Sequence, residues 1–150
     1  MTMLNKYMKL VIEEAKKCTG DIPVAAVIVK DNELVAIERN RKEENHMVTA
    51  HAEILAINKA NEKLKSWHLD DCDMYVTLEP CPMCMWAIIS ARIKNLYFGS
   101  FDTRYGAISA TNLKELSKSK IKVLGGIMEE ECNKLLDSYF EKLRNEKNFR

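Results

Sequence analysis

Two short stretches hold the residues of this chain that could do chemistry together: Thr49-Ala50-His51-Ala52-Glu53 and Glu79-Pro80-Cys81-Pro82-Met83-Cys84. One imidazole and two thiols make three soft or borderline ligands, a set that suits a zinc ion keeping its fourth position open for water. Glu53 is then the spare acid. A carboxylate beside an activated water can take its proton and later hand it to a leaving group, which is general acid/base work and implies hydrolysis. Other readings of the cysteine pair fit less. A structural zinc ribbon needs a second C-x-x-C, and the chain has none. A redox C-x-x-C expects a βαβ setting and leaves His51 and Glu53 unexplained. His46 and His68 lack such company and read as structural or exposed.

The elements that must position these residues follow from pattern. Leu4, Tyr7, Met8, Val11, Ile12 and Ala15 form an apolar stripe at helical spacing between Thr2 and Cys18. Gly20-Asp21 breaks it, and the continuous apolar run Val24–Val29 reads as an interior strand. Lys30 to Glu33 is a turn, and Leu34–Ile37 returns as the other half of an antiparallel hairpin. Asn40 to Met47 carries neither period and is expected to be a loop. It delivers the chain to Thr49, a plausible N-cap for a helix through about Leu64. His51 would then lie in the first turn, which raises a difficulty: helical residues two apart point roughly 200° apart. His51 and Glu53 can share a site only off the N-terminal end of the helix.

Asp73–Leu78 alternates and is rich in β-formers, so it reads as a strand. Pro80 and Pro82 favour the first turn of a helix running to about Arg92, with Cys81 and Cys84 on that turn, where the helix N-terminus stabilises thiolate. Two helix N-termini are thus expected to meet at the C-terminal end of the Asp73–Leu78 strand, a usual place for ligands on an open α/β sheet. Asn95–Phe98, ended by Gly99, reads as a fourth strand, and Ile121–Leu124 as a fifth. A short helix near Leu113–Lys118 between them permits a parallel crossover. Glu129–Arg144 closes as an amphipathic helix.

The chain has 150 residues, 47% hydrophobic and 30% charged, which fits one domain over residues 1–150. No apolar run approaches the length of a membrane span and the N-terminus lacks a signal-peptide core, so a cytoplasmic protein is expected. Five cysteines form no even, dense framework; Cys18, Cys72 and Cys132 read as reduced, small core residues. The net charge of +1 argues against wholesale nucleic-acid binding. Charge is nevertheless uneven. Arg92, Lys94, Arg104, Lys114, Lys118, Lys120 and Lys122 face only Asp102 and Glu115 within their stretch, and Lys142, Arg144, Lys147 and Arg150 add a basic tail. Such a surface could hold RNA phosphates.

The order H-x-E then P-C-x-x-C resembles the zinc-dependent nucleobase and nucleoside deaminases. Beyond the metal motif, Thr77-Leu-Glu-Pro-Cys81, Phe98-Gly-Ser-Phe-Asp102 leading to Gly106-Ala107, and the ending from Glu130 to Arg144 resemble the bacterial tRNA-specific adenosine deaminases over nearly the whole chain. The resemblance implies a three-layer α/β/α cytidine-deaminase-like fold with a five-stranded mixed sheet and helices on both faces. It also implies one zinc per chain on His51, Cys81 and Cys84, with Glu53 as proton shuttle. Asn40 matches an asparagine that holds the target nucleoside; Leu78, Asp102, Tyr139 and Phe140 match positions lining the substrate channel or touching the anticodon loop. The implied partners are a tRNA anticodon loop, with the wobble adenosine as target, and a second copy of the chain docked on the Pro82–Arg92 helix.

Three departures fall at the rim. Pro23-Val24-Ala25-Ala26 stands where the family shows Pro-Val-Gly-Ala, so an extra methyl is expected where a glycine admits substrate. Met47-Val48-Thr49 replaces Asp-Pro-Thr, and Gly106–Thr111 has fewer small residues than its counterpart. A deaminase of the same fold acting on a free base, nucleoside or nucleotide of guanine, cytosine or cytidine type is the alternative these leave open.

Overall fold

The apolar run after Pro23 forms an interior strand of a five-stranded sheet in a computed structural model that describes residues 2–111 and 115–148. Leu113, Lys114 and Arg150 lie outside the described residues. In chain order the elements are α1 (Met3–Ala15), β1 (Ala25–Lys30), β2 (Glu33–Arg39), α2 (Lys42–Asn45), α3 (Ala52–Leu64), β3 (Cys72–Leu78), α4 (Pro82–Ser90), β4 (Asn95–Ser100), α5 (Glu115–Lys118), β5 (Lys122–Leu124) and α6 (Glu129–Asn148). The strand order is β2-β1-β3-β4-β5. β1 runs antiparallel to both β2 and β3, whereas β3, β4 and β5 are mutually parallel. A parallel pair cannot be joined by a tight hairpin, and α4 and α5 supply the two crossovers.

Successive strand residues face opposite sides, and both sides are covered. Ala25, Val27, Val29, Tyr75 and Tyr97 pack with Tyr7, Met8 and Val11 of α1 and Cys132 and Leu135 of α6. Ala26, Ile28, Met74, Val76, Leu96 and Phe98 pack with Ala52, Ala56 and Ala60 of α3 and Met85 and Ile88 of α4. The three-layer α/β/α mixed-sheet architecture expected from the sequence is the one observed. Because β1 is antiparallel to β3, the C-terminal ends of β3 and β4 share one edge with the start of β1 and the end of β2. That edge carries the site.

Four local expectations need correction. The stretch after Asn40 is not all loop, since α2 forms there, and the reason lies elsewhere in the chain: the buried Asp21 carboxylate accepts from Glu43 N at 2.7 Å and Glu44 N at 3.2 Å. α1 ends at Ala15, short of Cys18. β4 does not stop at Gly99 but continues through Ser100. There α6 lies so close that a Cβ at position 99 would overlap the Cys132 side chain and the Thr77 carbonyl, so the glycine serves packing and not termination. α4 ends at Ser90, and Arg92 turns the chain with a φ of 63°. Among the described residues no helix is long and apolar enough to cross a membrane.

Candidate active site

The predicted N-cap at Thr49 is displaced by two residues, and the displacement removes the geometric difficulty. A turn closed by Ala50 N to Met47 O at 3.1 Å, and a bond from Arg41 N to Ala50 O at 3.0 Å, hold Thr49 and Ala50 outside the helix. His51 is itself the N-cap of α3, with extended φ −73° and ψ 149°. An N-cap side chain is not bound to the 100° step of the helix, so it can turn toward the same end-on space as Glu53 in the first turn. Cys81 does the same for α4, with φ −71° and ψ 169°, followed by Pro82 at the first helical position. Cys81 thus precedes the turn on which it was expected, and Cys84 alone lies within it, fully buried.

His51 Nδ1 lies 3.4 Å from Cys84 Sγ and 3.8 Å from Cys81 Sγ, and all three ligand atoms fall within 4.8 Å of one another. Zinc–nitrogen and zinc–sulfur bonds of about 2.0 and 2.3 Å at a tetrahedral angle place N and S about 3.5 Å apart. The donor set and its spacing therefore fit zinc. Both helix N-termini direct their partial positive charge here, which favours thiolate.

The electrostatics point the same way. A hydrogen bond from the Cys84 thiol, reinforced by His51, brings Cys81 down to about 4. The same Cys81–Cys84 bond, with burial, pushes Cys84 far above the usual thiol range. Bonding to Cys81 also raises His51. The cluster thus favours a thiolate at Cys81, with protons elsewhere in the cluster that a divalent cation would displace. Glu53 is 4% exposed, and burial lifts its carboxyl to about 6 while the neighbouring His51 charge pulls it back.

The remaining predicted residues are placed at varying remove. Asn40 follows the last residue of β2 at the site edge, its side chain donating to Ile22 O at 3.2 Å and accepting from Lys42 N at 3.2 Å. Leu78 is half-buried at the end of β3, opposite Ser100. Asp102 begins a loop off β4, and its Oδ1 accepts from Arg104 N and Tyr105 N at 3.0 and 2.9 Å. Tyr139 and Phe140 stack edge-to-face on α6 with centroids 5.2 Å apart. Tyr139 lines a groove with Asp21 between α1 and α6 and is not part of the metal cluster. Its phenol is raised by burial first, then by the charges of Asp21 and Glu43. His46 is the exposed left-handed cap of α2, and exposed His68 pairs with Asp70 at 3.3 Å.

Among the rim departures, Ala25 is fully buried on the α1/α6 side of the sheet, and its methyl lies on the face of the sheet away from α3 and α4. Met47 and Val48 are exposed by 54% and 70%. Sequence reasoning missed Glu79 and Asp21, two buried carboxylates. Pro80 and Gly20 beside them mark breaks in regular structure, but the donors that satisfy them lie 22 to 30 residues further along the chain, so no local pattern announces their burial.

An α/β/α sheet with a His-Cys-Cys cluster and a buried acid at two helix N-termini defines the class of the cytidine-deaminase-like deaminases, and a family model described as MafB19-like deaminase matches residues 2–144. The tRNA-specific adenosine deaminase of Bacillus subtilis is 39% identical over 98% of this chain and 94% of its own. A solved structure from a study of A-to-I editing by tRNA:A34 deaminases superposes with a TM-score of 0.83 at 38% identity, covering 87% of this chain and 99% of that one. Guanine deaminase of Bacillus subtilis is more distant in shape, with a TM-score of 0.63 at 33% identity over 80% of this chain and 73% of that one. The chain belongs to the family of the tRNA-specific adenosine deaminases.

Proposed function

We propose that this protein hydrolyses the wobble adenosine of a tRNA anticodon loop to inosine, releasing ammonia, with one zinc ion per chain on His51, Cys81 and Cys84. The observation that carries the reading is the meeting of these ligands with buried Glu53 at two helix N-termini, in a chain that matches tRNA-specific adenosine deaminases over nearly its full length. Zinc bound there would supply the Lewis acidity that makes water nucleophilic near neutral pH. Glu53 takes one proton of a water as the water oxygen bonds to the amine-bearing carbon and delivers that proton to the adjacent ring nitrogen. It then carries the remaining hydroxyl proton to the amine, so the C–N bond breaks, the carbonyl forms and ammonia leaves. Burial keeps its carboxyl close to neutrality in proton affinity, so one group can both accept and return a proton. Glu53→Ala is expected to keep zinc and fold while turnover falls by roughly 10²–10⁴-fold, the range for a positioned acid/base.

Asn40 holds the target nucleoside. Its Nδ2 has a second hydrogen beyond the one given to Ile22 O. Leu78 and Asp102 line the channel, and Tyr139 and Phe140 stack on neighbouring bases, with exposed lysines and arginines of the β4–β5 region and α6 on phosphates. An anticodon loop suits such a site because its bases are already unpaired, which spares most of the cost of extruding one. We place the protein in the cytoplasm and assign it a homodimer through α4. Met85 and Ile88 of that helix are buried in the chain's own core, while Met83 and Trp86 stay 37% and 44% exposed.

The deciding assay offers an anticodon stem-loop bearing the wobble adenosine alongside adenosine, cytidine, cytosine and guanine at equal concentration, and follows inosine and ammonia. Inosine in the stem-loop, with a rate falling steeply as salt rises, is the expected result. Turnover of guanine or a cytidine compound with the stem-loop untouched would overturn the tRNA assignment. Met47 and Val48 would then be the first residues to examine.

A further inference from the structure

Glu79 follows β3 and stands two residues before Cys81, with 2% of its surface exposed. A charged carboxylate is rarely buried so completely unless several donors meet it. Here one loop supplies them all. Asp102 N donates to Oε1 at 3.1 Å, Ile108 N and Ser109 N donate to Oε2 at 3.0 and 2.9 Å, and the Ser109 hydroxyl donates to Oε1. The backbone on either side is fastened as well: Glu79 N donates to Ser100 O at 2.8 Å, and Ala107 N to Pro80 O at 2.9 Å. Gly106 completes the fit. A Cβ there would run into the Glu79 carboxylate and the Asp102 carbonyl.

The clamped loop leaves the sheet at the same edge as the ligands. It presents Phe101 and Tyr105, 47% and 63% exposed, with the Arg104 guanidinium carbon 5.9 Å from the Tyr105 ring centroid. Exposed aromatics beside an arginine form the kind of surface on which unpaired bases stack. Asp102 ties its own turn by capping Arg104 N and Tyr105 N; Ala107 is buried in the core and Phe101 packs edge-on against Phe98, and the Glu79 carboxylate gathers the polar contacts of the loop between them.

We infer that Glu79 is a positioning residue: its buried carboxylate locks the Phe101–Ser109 loop, as a preformed nucleobase platform, to the segment that carries the metal ligand Cys81. The inference rests on the deaminase reading for its substrate but on the hydrogen-bond geometry for its mechanism. A locked loop binds without first being ordered. If release lowers the competent population to about a tenth, apparent affinity falls about tenfold, because affinity scales with that fraction. The chemical step, set by Glu53 and the His-Cys-Cys ligands, is left nearly alone.

The test uses zinc-loaded full-length protein as wild type, Glu79→Gln, Gly106→Ala and Ser109→Ala. Glutamine keeps the shape but turns one acceptor oxygen into a donor that faces N–H groups. Amide exchange at Asp102, Ile108 and Ser109 is expected to be slow in wild type and at least about tenfold faster in Glu79→Gln, with zinc still one per chain. KM for the stem-loop should rise about tenfold with kcat within about threefold. Gly106→Ala should reproduce the split from the loop side, and Ser109→Ala, which removes one donor, should give a smaller shift of the same kind. These two decide the matter if Glu79→Gln does not fold. Released amides with an unchanged KM would overturn the inference, as would loss of zinc together with kcat. If wild type deaminates only a free base, KM for that base is read in the same variants. The tRNA reading then fails separately, and an unchanged KM rejects the platform.

Discussion

Replacing Asp21 by alanine tests how a residue far from the site in sequence builds the approach to His51. Arg41 is the N-cap of α2 but makes no side-chain cap bond, so the helix relies on Asp21 for Glu43 N and Glu44 N. A helix of one turn cannot support itself, because nucleation costs more than one turn returns. Hydrogen bonds to a charged group contribute about 1.5–3 kcal/mol each, and N-cap replacements cost up to about 2. The total is reduced here: Glu43 and Glu44 are exposed, so water can reach the freed N–H groups, and relieving a buried charge offsets part of the loss. The expected cost for Asp21→Ala is about 2 kcal/mol, or about 4–8 °C in Tm for a chain of this size. Asp21→Asn retains an acceptor for Glu43 N and should lose about half of that. Urea melts of zinc-loaded protein measure both, with an unchanged m-value as the sign that only stability moved. Asp21 also helps hold the Tyr139 phenol above its usual value, so its ionisation should shift down in Asp21→Ala. An alanine variant within about 0.5 kcal/mol of wild type, or equal to the asparagine variant, would refute the cap.

Three further outcomes follow from the same geometry. Cys81→Ser and Cys84→Ser should each lose stoichiometric zinc by metal analysis; a full complement of metal in either would contradict the ligand set. Gly99→Ala should cost about 1–3 kcal/mol by forcing a methyl into the Cys132 side chain, and Cys132→Ala should recover part of it. No recovery in the double variant would mean that the Thr77 carbonyl, not the thiol, sets the limit. Trp86→Glu should shift the protein toward monomer in sedimentation by placing a charge on the open face of α4, and a wild type that is monomeric at micromolar concentration would dismiss the dimer.

Periodicity carried the fold because burial leaves a repeating mark. The stripe from Leu4 to Ala15 became α1, and the continuous run from Val24 became a strand covered on both faces, as strands buried twice require. Where local signals misled, a distant group had the deciding role. Gly99 has the composition of a strand end, yet the strand passes through it because α6 needs the space a side chain would fill. The stretch from Lys42 to Asn45 has no helical period, and its helix depends on Asp21, which caps Glu43 N and Glu44 N where the local Asn40 reaches only Lys42 N.

At the site, residue type was legible and backbone phase was not. Two thiols, an imidazole and a spare carboxylate name a chemistry by their donors alone, but their usefulness depends on where each helix begins. Thr49 is the better N-cap by side-chain preference; it loses because the Met47–Ala50 turn and the Arg41–Ala50 bond hold the chain extended for two more residues. That shift moves His51 from the wall of the helix to its mouth, and the roughly 200° separation from Glu53 ceases to matter. Cys81 gains the same position from Pro82, whose ring fixes the first helical residue and forces its predecessor to be extended. A helix cannot place residues two apart on one face, so the H-x-E pair at the start of α3 converges because its first member caps the helix that its second member enters.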